Sequence, residues 1–375
     1  MTLEELLARD EVVAALEGEG TPFFILDRAR LRADYRALVD ALPGVTHHYA
    51  VKALSHPEVL ATLADEGAGF DVATTAEIEA VLAAGASPDR IIHTHPHKRP
   101  RDIEFAVGKG VRTFVADSDA ELRKLQGRDV DVLARLSFSN EYANVDLSSK
   151  FGLELGEVEG YLEYAHELGI RIVGFSYHVG SQNSALQIFE DALAAAIALV
   201  DPARAAGHPV TTIDIGGGFP VRYVSGVPSV AEIGAVLRPL MDERPDIRFI
   251  SEPGRVLAAG CMHLVSGVVS TTHRPQDDTH WVFIDDGLFG GYSNIASDHV
   301  MPPIFAVTPP GREIIPQTIG GPTCDSNDVI VRDLPLPRCE VGDLIVSSEM
   351  GSYTYVTMSE FNGIPKTRVV VLEED

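Results

Sequence analysis

Residues 46–85 read THHYAVKALSHPEVLATLADEGAGFDVATTAEIEAVLAAG. A short β-prone run passes into an Ala/Leu/Glu-rich stretch, and the order repeats at GFDVA (69–73) and Thr75–Ala84, where Ile78, Val81 and Leu82 share one helical face. The alternation continues through IIHTH (91–95), RTFVA (112–116), VDVLARL (130–136), IVGFSYHV (172–179), VTTIDIGG (210–217) and IRFISEP (247–253). Between these runs lie amphipathic stretches such as Glu157–Leu168. Eight strand-then-helix units predict a (β/α)8 barrel of TIM type, with a doubly wound sheet as the alternative. After Arg255 the helical period gives way to β runs at 261–270, 280–285, 344–349 and 367–373, separated by Pro- and Gly-rich turns. The expected division is a barrel over 21–258 and a C-terminal antiparallel β-domain over 259–375 that also takes in residues 1–20. Met1–Gly20 reads as one acidic amphipathic helix carrying Leu3, Leu6, Leu7, Val12, Val13 and Leu16.

The 375 residues carry 30 basic and 55 acidic side chains, a formal charge of −25. No run of Lys and Arg interrupts this background, so neither nucleic acid nor an anionic membrane is an expected partner. Cys261, Cys324 and Cys339 are too few and scattered for a disulfide framework or a cysteine zinc site. Without a basic, apolar leader, the expectation is a soluble cytoplasmic protein.

In a barrel of this kind, residues at the carboxyl ends of the strands share one mouth. Those ends supply Lys52, Asp71, Arg135, His178, Gly216-Gly217-Gly218 and Glu252-Pro-Gly254-Arg255. The triple glycine after the seventh strand is either a plain turn or a backbone cradle for an anion, and its place favours a phosphate. Lys52 is one of only six lysines and ends a buried strand. It could snorkel to the rim or pair with Asp71. The functional reading is an amine whose pKa is lowered by burial and which forms a Schiff base with an aldehyde. Aldehyde and phosphate together point to pyridoxal 5'-phosphate, with Glu252 on the ring nitrogen unless it pairs with Arg255. His178 could ligate a metal, carry a proton or stack flat on the ring. No second ligand at metal spacing accompanies it, and His93, His95 and His97 sit on another strand end, so no metal is expected.

YAVKA, GFDVATTAEI, KFG, HVGS, DIGGGFP, EPGR, GPTCDSND and GSYTYVTMSEFNG, in that order between residues 49 and 363, resemble the motifs of the ornithine/lysine/diaminopimelate decarboxylases, the fold type III pyridoxal phosphate enzymes with an alanine racemase-like two-domain architecture. The resemblance implies a head-to-tail homodimer with active sites at the interface. It makes Lys52 similar to the Schiff-base lysine and His178 to the residue stacked on the ring. It likens Gly217, Gly218, Gly254, Arg255 and Tyr353, with Ser181 nearby, to the phosphate-end ligands, and Glu252 to the carboxylate on the pyridine nitrogen. Asp71, Glu77 and Arg135 resemble supporting polar residues. Cys324 resembles a thiol that the partner subunit supplies to protonate Cα, and Lys150 and Asp328 a pair bridging subunits. Asp298 and Asp325 resemble the two aspartates that grip a distal amine, although Asp298 could instead cap a turn.

Two such acids without a nearby arginine favour a basic L-amino acid, ornithine or lysine, over diaminopimelate, with putrescine or cadaverine as product. An unusual diamino acid and a catalytically inactive regulatory homologue are the alternatives. The sequence carries Ser297 where eukaryotic ornithine decarboxylases have an aromatic residue, and His95-Pro96-His97-Lys98 where the family's Asn-Pro-x-Lys is usual. An acidic mouth would also attract a substrate with a distal cation, giving the net charge a positive sense.

Overall fold

The computed structural model describes residues 1–140, 142–144, 148–223 and 226–374. The chain forms two compact units, one built from Met1–Leu31 and from Ala258 onward, the other from Arg32–Arg222 and Gly226–Leu257. Strand β1 (Phe23–Leu26) belongs to the first. The second contains β2 (Thr46–Ala50), β3 (Gly69–Val72), β4 (Ile91–His93), β5 (Thr113–Ala116), β6 (Asp131–Arg135), β7 (Ile172–Ser176), β8 (Thr212–Asp214) and β9 (Arg248–Ser251).

These eight strands pair in parallel with sequential neighbours, and β9 returns to β2 with His47 opposite Ser251, closing the barrel. Closure removes the doubly wound alternative. Ile92, Val115, Leu133 and Ile250 pack together with Val173, an apolar layer drawn from five strands. Helices between the strands include Pro57–Asp65, Thr75–Ala83, Pro100–Gly108, Val158–Glu167 and Val230–Asp242. Ser229 and Glu232 form a capping box at the start of the last of these, satisfying two otherwise orphaned N–H groups.

The other unit adds β10 (Met262–Arg274), β11 (Thr279–Ile284), β12 (Ile304–Val307), β13 (Ile314–Gly320), β14 (Val329–Pro337), β15 (Leu344–Ser347) and β16 (Arg368–Val371). The spine runs β12-β15-β10-β11-β13-β14, with β1 on β10 and β16 on β1. The sheet is mixed rather than purely antiparallel: β1 runs parallel to β16, and β11 parallel to β13. Residues 23–26 lie in this sheet because the fully buried run Phe-Phe-Ile-Leu pairs with Met262–Val265 on one side and Arg368–Val371 on the other.

The expected single N-terminal helix is two, Leu3–Leu7 and Asp10–Glu17. Arg9 breaks them with an extended backbone at φ −63°, ψ 138°. Leu6, Val12 and Ala15 nevertheless reach one core with Phe23, Ile25, Val265, Val346 and Leu372, so the amphipathic pattern survives the break. Among the described residues no helix is long and apolar enough to cross a membrane.

Candidate active site

In the barrel unit, β2 runs into a single 3-10 turn, Val51–Ala53, that carries Lys52. Val51 and Ala53 are fully buried while the Lys52 side chain is 46% exposed. The burial expected for this amine is therefore not found, because the turn lifts it out of the wall. Its Nζ lies 3.2 Å from Oδ2 of Asp71, a buried carboxylate on β3. Thr94 Oγ1 donates to the other oxygen, Asp71 Oδ1. The ion pair expected as the bland alternative is present, and it places a positioned amine at the strand ends.

Glu77 stands in the first turn of the following helix and accepts from Ala73 N–H at 2.6 Å. Burial raises its carboxyl above the ordinary range. Arg135, at the end of β6, lies over the Phe151 ring with 5.3 Å between guanidinium carbon and ring centre. Phe151 is brought there by the Lys-Phe-Gly segment, in which Leu153 N–H donates to Arg135 C=O at 2.8 Å. Lys150 lies over the same ring at 4.9 Å.

His178 Nδ1 accepts from Gly180 N–H at 3.0 Å. Burial, reinforced by the positive fields of Arg135 and Lys52, holds the imidazole well below its usual pKa. It is neutral at pH 7 and suited to lie flat against an aromatic ring. Among the described residues, three ligating side chains converge at His273, Asp278 and His280, on the β10–β11 hairpin of the other unit.

Gly216, Gly217 and Gly218 follow β8. A Cβ on Gly217 would stand 2.7 Å from Glu252 C=O and 3.1 Å from His178 Nε2. Gly218 has φ +92°, and its Cβ would stand 2.5 Å from Gly180 C=O. Only glycine fits a backbone this close to its neighbours. The turn is braced from outside, since Asn183 N–H donates to Gly218 C=O at 3.1 Å and Gln182 makes two hydrogen bonds to the Val221 backbone. Arg255, which opens a short helix after Gly254, donates to Ser181 Oγ at 2.9 Å. Glu252 is 3% exposed, and its neighbour is Asp214 rather than Arg255.

Asp214 escaped the sequence reading. It ends β8, is fully buried, and accepts from Gly216 N–H at 2.9 Å. An acid flanked by Ile213 and Ile215 in a strand inside the barrel was the available signal.

The other unit holds the remaining candidates. Cys324 is an exposed thiol whose N–H donates to Asn362 Oδ1 at 2.9 Å. Asp325 Oδ1 accepts from Asn327 N–H at 2.8 Å and Nδ2 at 3.0 Å. Asp328 accepts from Leu288 N–H at 2.8 Å and from Thr323 N–H and Oγ1 at 3.1 and 2.7 Å. Its carboxylate thus ties the Cys324 loop to the loop after β11. Asp298 ends the short helix Ser293–Asp298 and is followed by His299 in the left-handed region at φ +54°. Tyr353 also has a left-handed backbone, φ +55°, a costly state for a bulky residue and one that gathers at functional sites.

The barrel-unit residues match the donors that a phosphorylated pyridine aldehyde requires. Were such a group bound, the amine of Lys52 could meet the aldehyde, the glycine turn with Arg255 and Ser181 the phosphate, and Glu252 Oε1, a buried acceptor with no donor, a protonated ring nitrogen.

Comparison with known proteins agrees. The family described as "Pyridoxal-dependent decarboxylase, pyridoxal binding domain" matches residues 28–259. The chain is 34% identical over 372 residues to the lysine/ornithine decarboxylase of Selenomonas ruminantium, covering 98% of this chain and 94% of that protein. It is 32% identical over 365 residues to antizyme inhibitor 2 of Xenopus laevis, covering 92% and 80%. The crystal structure of lysine/ornithine decarboxylase complexed with putrescine from Vibrio vulnificus shares 36% identity and a TM-score of 0.92, each chain covered completely at 100%. On these grounds the chain belongs to the pyridoxal-dependent decarboxylase family.

Proposed function

We propose that the protein decarboxylates a basic L-amino acid, ornithine or lysine, to putrescine or cadaverine, with pyridoxal 5'-phosphate as cofactor. The observation that carries this is the Lys52 amine held 3.2 Å from Asp71, its field reaching His178 and Glu252, which flank Gly217. Bound there, pyridoxal phosphate supplies the electron sink for the pair left on Cα when CO2 departs.

The chain's own residues do the rest. Lys52 would hold the cofactor aldehyde, and Asp71, 3.2 Å from its Nζ, would keep that amine positioned. Glu252 keeps the ring nitrogen protonated, with Glu77 and Arg135 bracing the acids and cation around it. His178, neutral and flat, covers one ring face. Gly217, Gly218, Gly254, Arg255, Ser181 and Tyr353 bind the phosphate end. Cys324, held by Asn362, delivers a proton to Cα as general acid. Asp298 and Asp325 take the distal ammonium. The working unit is a homodimer in which Cys324 and Asp325 serve the partner's barrel and Lys150 meets Asp328 across the interface. Three free cysteines suit a reducing, cytoplasmic compartment.

The test is CO2 release from ornithine, lysine, arginine and diaminopimelate, with the product identified. Ornithine or lysine should give the highest kcat/KM; a preference for diaminopimelate would overturn the assignment. In Asp298→Asn or Asp325→Asn, loss of a charge-assisted hydrogen bond of about 1.5–3 kcal/mol should lower kcat/KM for the diamino acid roughly ten- to hundredfold.

Gly217→Ala tests the cradle. The added methyl must push the Glu252 carbonyl or His178 aside, an overpacking cost of roughly 1–3 kcal/mol. Retention of pyridoxal phosphate, followed by its visible absorbance on dilution, should weaken about tenfold or more. Undiminished retention would show that the phosphate sits elsewhere.

A further inference from the structure

Asp214 and Glu252 end neighbouring barrel strands and are wired together through one glycine. Glu252 N–H donates to Gly216 C=O at 2.7 Å, and Gly216 N–H donates to Asp214 Oδ1 at 2.9 Å. The wiring brings the two side-chain carboxyls within hydrogen-bonding reach of each other. Asp214 is 0% and Glu252 3% exposed, and Asp214 Oδ2 and Glu252 Oε1 are buried with no donor.

Ionised carboxylates only accept. Two that face each other out of water repel, unless one proton lies between them. The surroundings do not replace that proton. Asp71 on β3 adds negative charge, and Tyr177, just after β7, is a neutral phenol. Lys52 acts favourably on Glu252, and Arg135 on Asp214. Burial first, then the field of Asp214, pushes Glu252 well above the carboxylate range. Asp214 is itself pushed up to about 6, chiefly by burial.

We propose that Asp214 is a positioning residue that shares one proton with Glu252, and so holds both the Glu252 carboxyl and the proton it presents to the ring nitrogen of pyridoxal phosphate. The inference rests on the decarboxylase reading above and extends it to a residue outside the ring of expected ligands. The proton balance is closed. In the empty site the pair carries one proton and one negative charge. Against a neutral ring nitrogen, the Glu252 O–H bond breaks, the electron pair stays on oxygen, and the N–H bond forms. The second carboxylate charge is then compensated by the cation just made, and solvent supplies no proton.

Infrared difference spectroscopy reads the shared proton directly, without turnover. Cofactor-free wild type at neutral pH should show the carbonyl stretch of a protonated carboxyl. The band should vanish on loading with pyridoxal phosphate and be missing in Glu252→Gln. In Asp214→Asn the amide donates to Glu252 and stabilises its ionised form. The band should shift or disappear, and titration calorimetry in buffers of different ionisation enthalpy should show loading taking up about one more proton than wild type. Absence of the band from cofactor-free wild type would overturn the shared proton, whether or not the variants fold. Normal loading of Asp214→Asn with the band and proton count unchanged overturns the pairing alone. Failure of wild type to load at all overturns the cofactor reading beneath it.

Discussion

Replacing Lys52 by alanine should abolish turnover, with kcat reduced on the order of a thousandfold or more, because the residue is the proposed covalent anchor. Arg135 is a cation whose field also reaches this part of the barrel, but its guanidinium lies over Phe151 and stays protonated, so it has no free amine to form the bond. The fold should be untouched. The Lys52 side chain is 46% exposed but Asp71 is buried and keeps only the Thr94 donor, so the loss should lower stability by about 1–3 kcal/mol. The measurement is CO2 release beside a urea unfolding curve and the visible absorbance of the loaded protein. All activity gone, the band gone and a single cooperative transition with a modestly lowered midpoint is the expected set, and near-normal turnover would sink the assignment. The same variant tests the shared site. If Cys324 works in the partner's barrel, equal mixing of inactive Lys52→Ala and Cys324→Ala chains should restore about a quarter of wild-type activity, from half the dimers carrying one intact site of two. If each barrel uses its own Cys324, mixing restores nothing.

Reading the barrel from sequence works because each strand run is short, apolar and followed by a helical period, and closure depends on that order alone. The β-domain is harder. Strands β13 and β14 carry Pro316 opposite Pro335 and Pro337 opposite Ile314, with register shifts near Gln317 and Ile319. Proline lacks the ladder N–H and reads as a turn, and only pairing across the sheet shows that these positions lie where a donor is not needed. In the site, Lys52, the glycine turn and Glu252 were legible because strand ends are fixed by the barrel rule. Two things were not. The half-exposure of Lys52 depends on a three-residue turn that no periodicity announces. The tie from Asp214 to Glu252 depends on the Gly216 backbone lying between them, a contact between strands 34 or more residues apart in sequence that spacing along the chain does not encode.

Lys98, the residue of His95-Pro96-His97-Lys98 that keeps the usual pattern, holds the second large effect, and it is structural. Lys98 Nζ donates to the carbonyls of His95, Pro96 and Val115 at 2.9, 3.1 and 2.6 Å and lies 3.5 Å from Glu121 Oε2. Both side chains are 1% exposed. One ammonium thereby ties the loop after β4, the strand β5 and the helix Asp119–Leu125, just beneath the mouth. Burial pushes its pKa down to about 8. Because the folded value lies below the unfolded one, the unfolded chain binds more protons between about pH 8 and 10.4, and this residue's contribution to stability rises with pH across that window. The charged form is therefore held at a desolvation cost at neutral pH, yet removing it should cost more. Lys98→Ala leaves three carbonyls without their donor and takes one partner from the buried Glu121, which keeps Lys124 and the Lys98 backbone N–H. Breaking a buried pair in this way costs about 3–5 kcal/mol, a large share of a domain's total stability. Urea unfolding should show that loss in Lys98→Ala and nearly as much in Lys98→Met, which fills the space but donates nothing. The double variant Lys98→Met/Glu121→Gln should recover part of it, since the remaining charge is then gone. A Lys98→Ala protein within about 1 kcal/mol of wild type would mean that water reaches Glu121 and the carbonyls, and that the tie contributes no more than an exposed pair does.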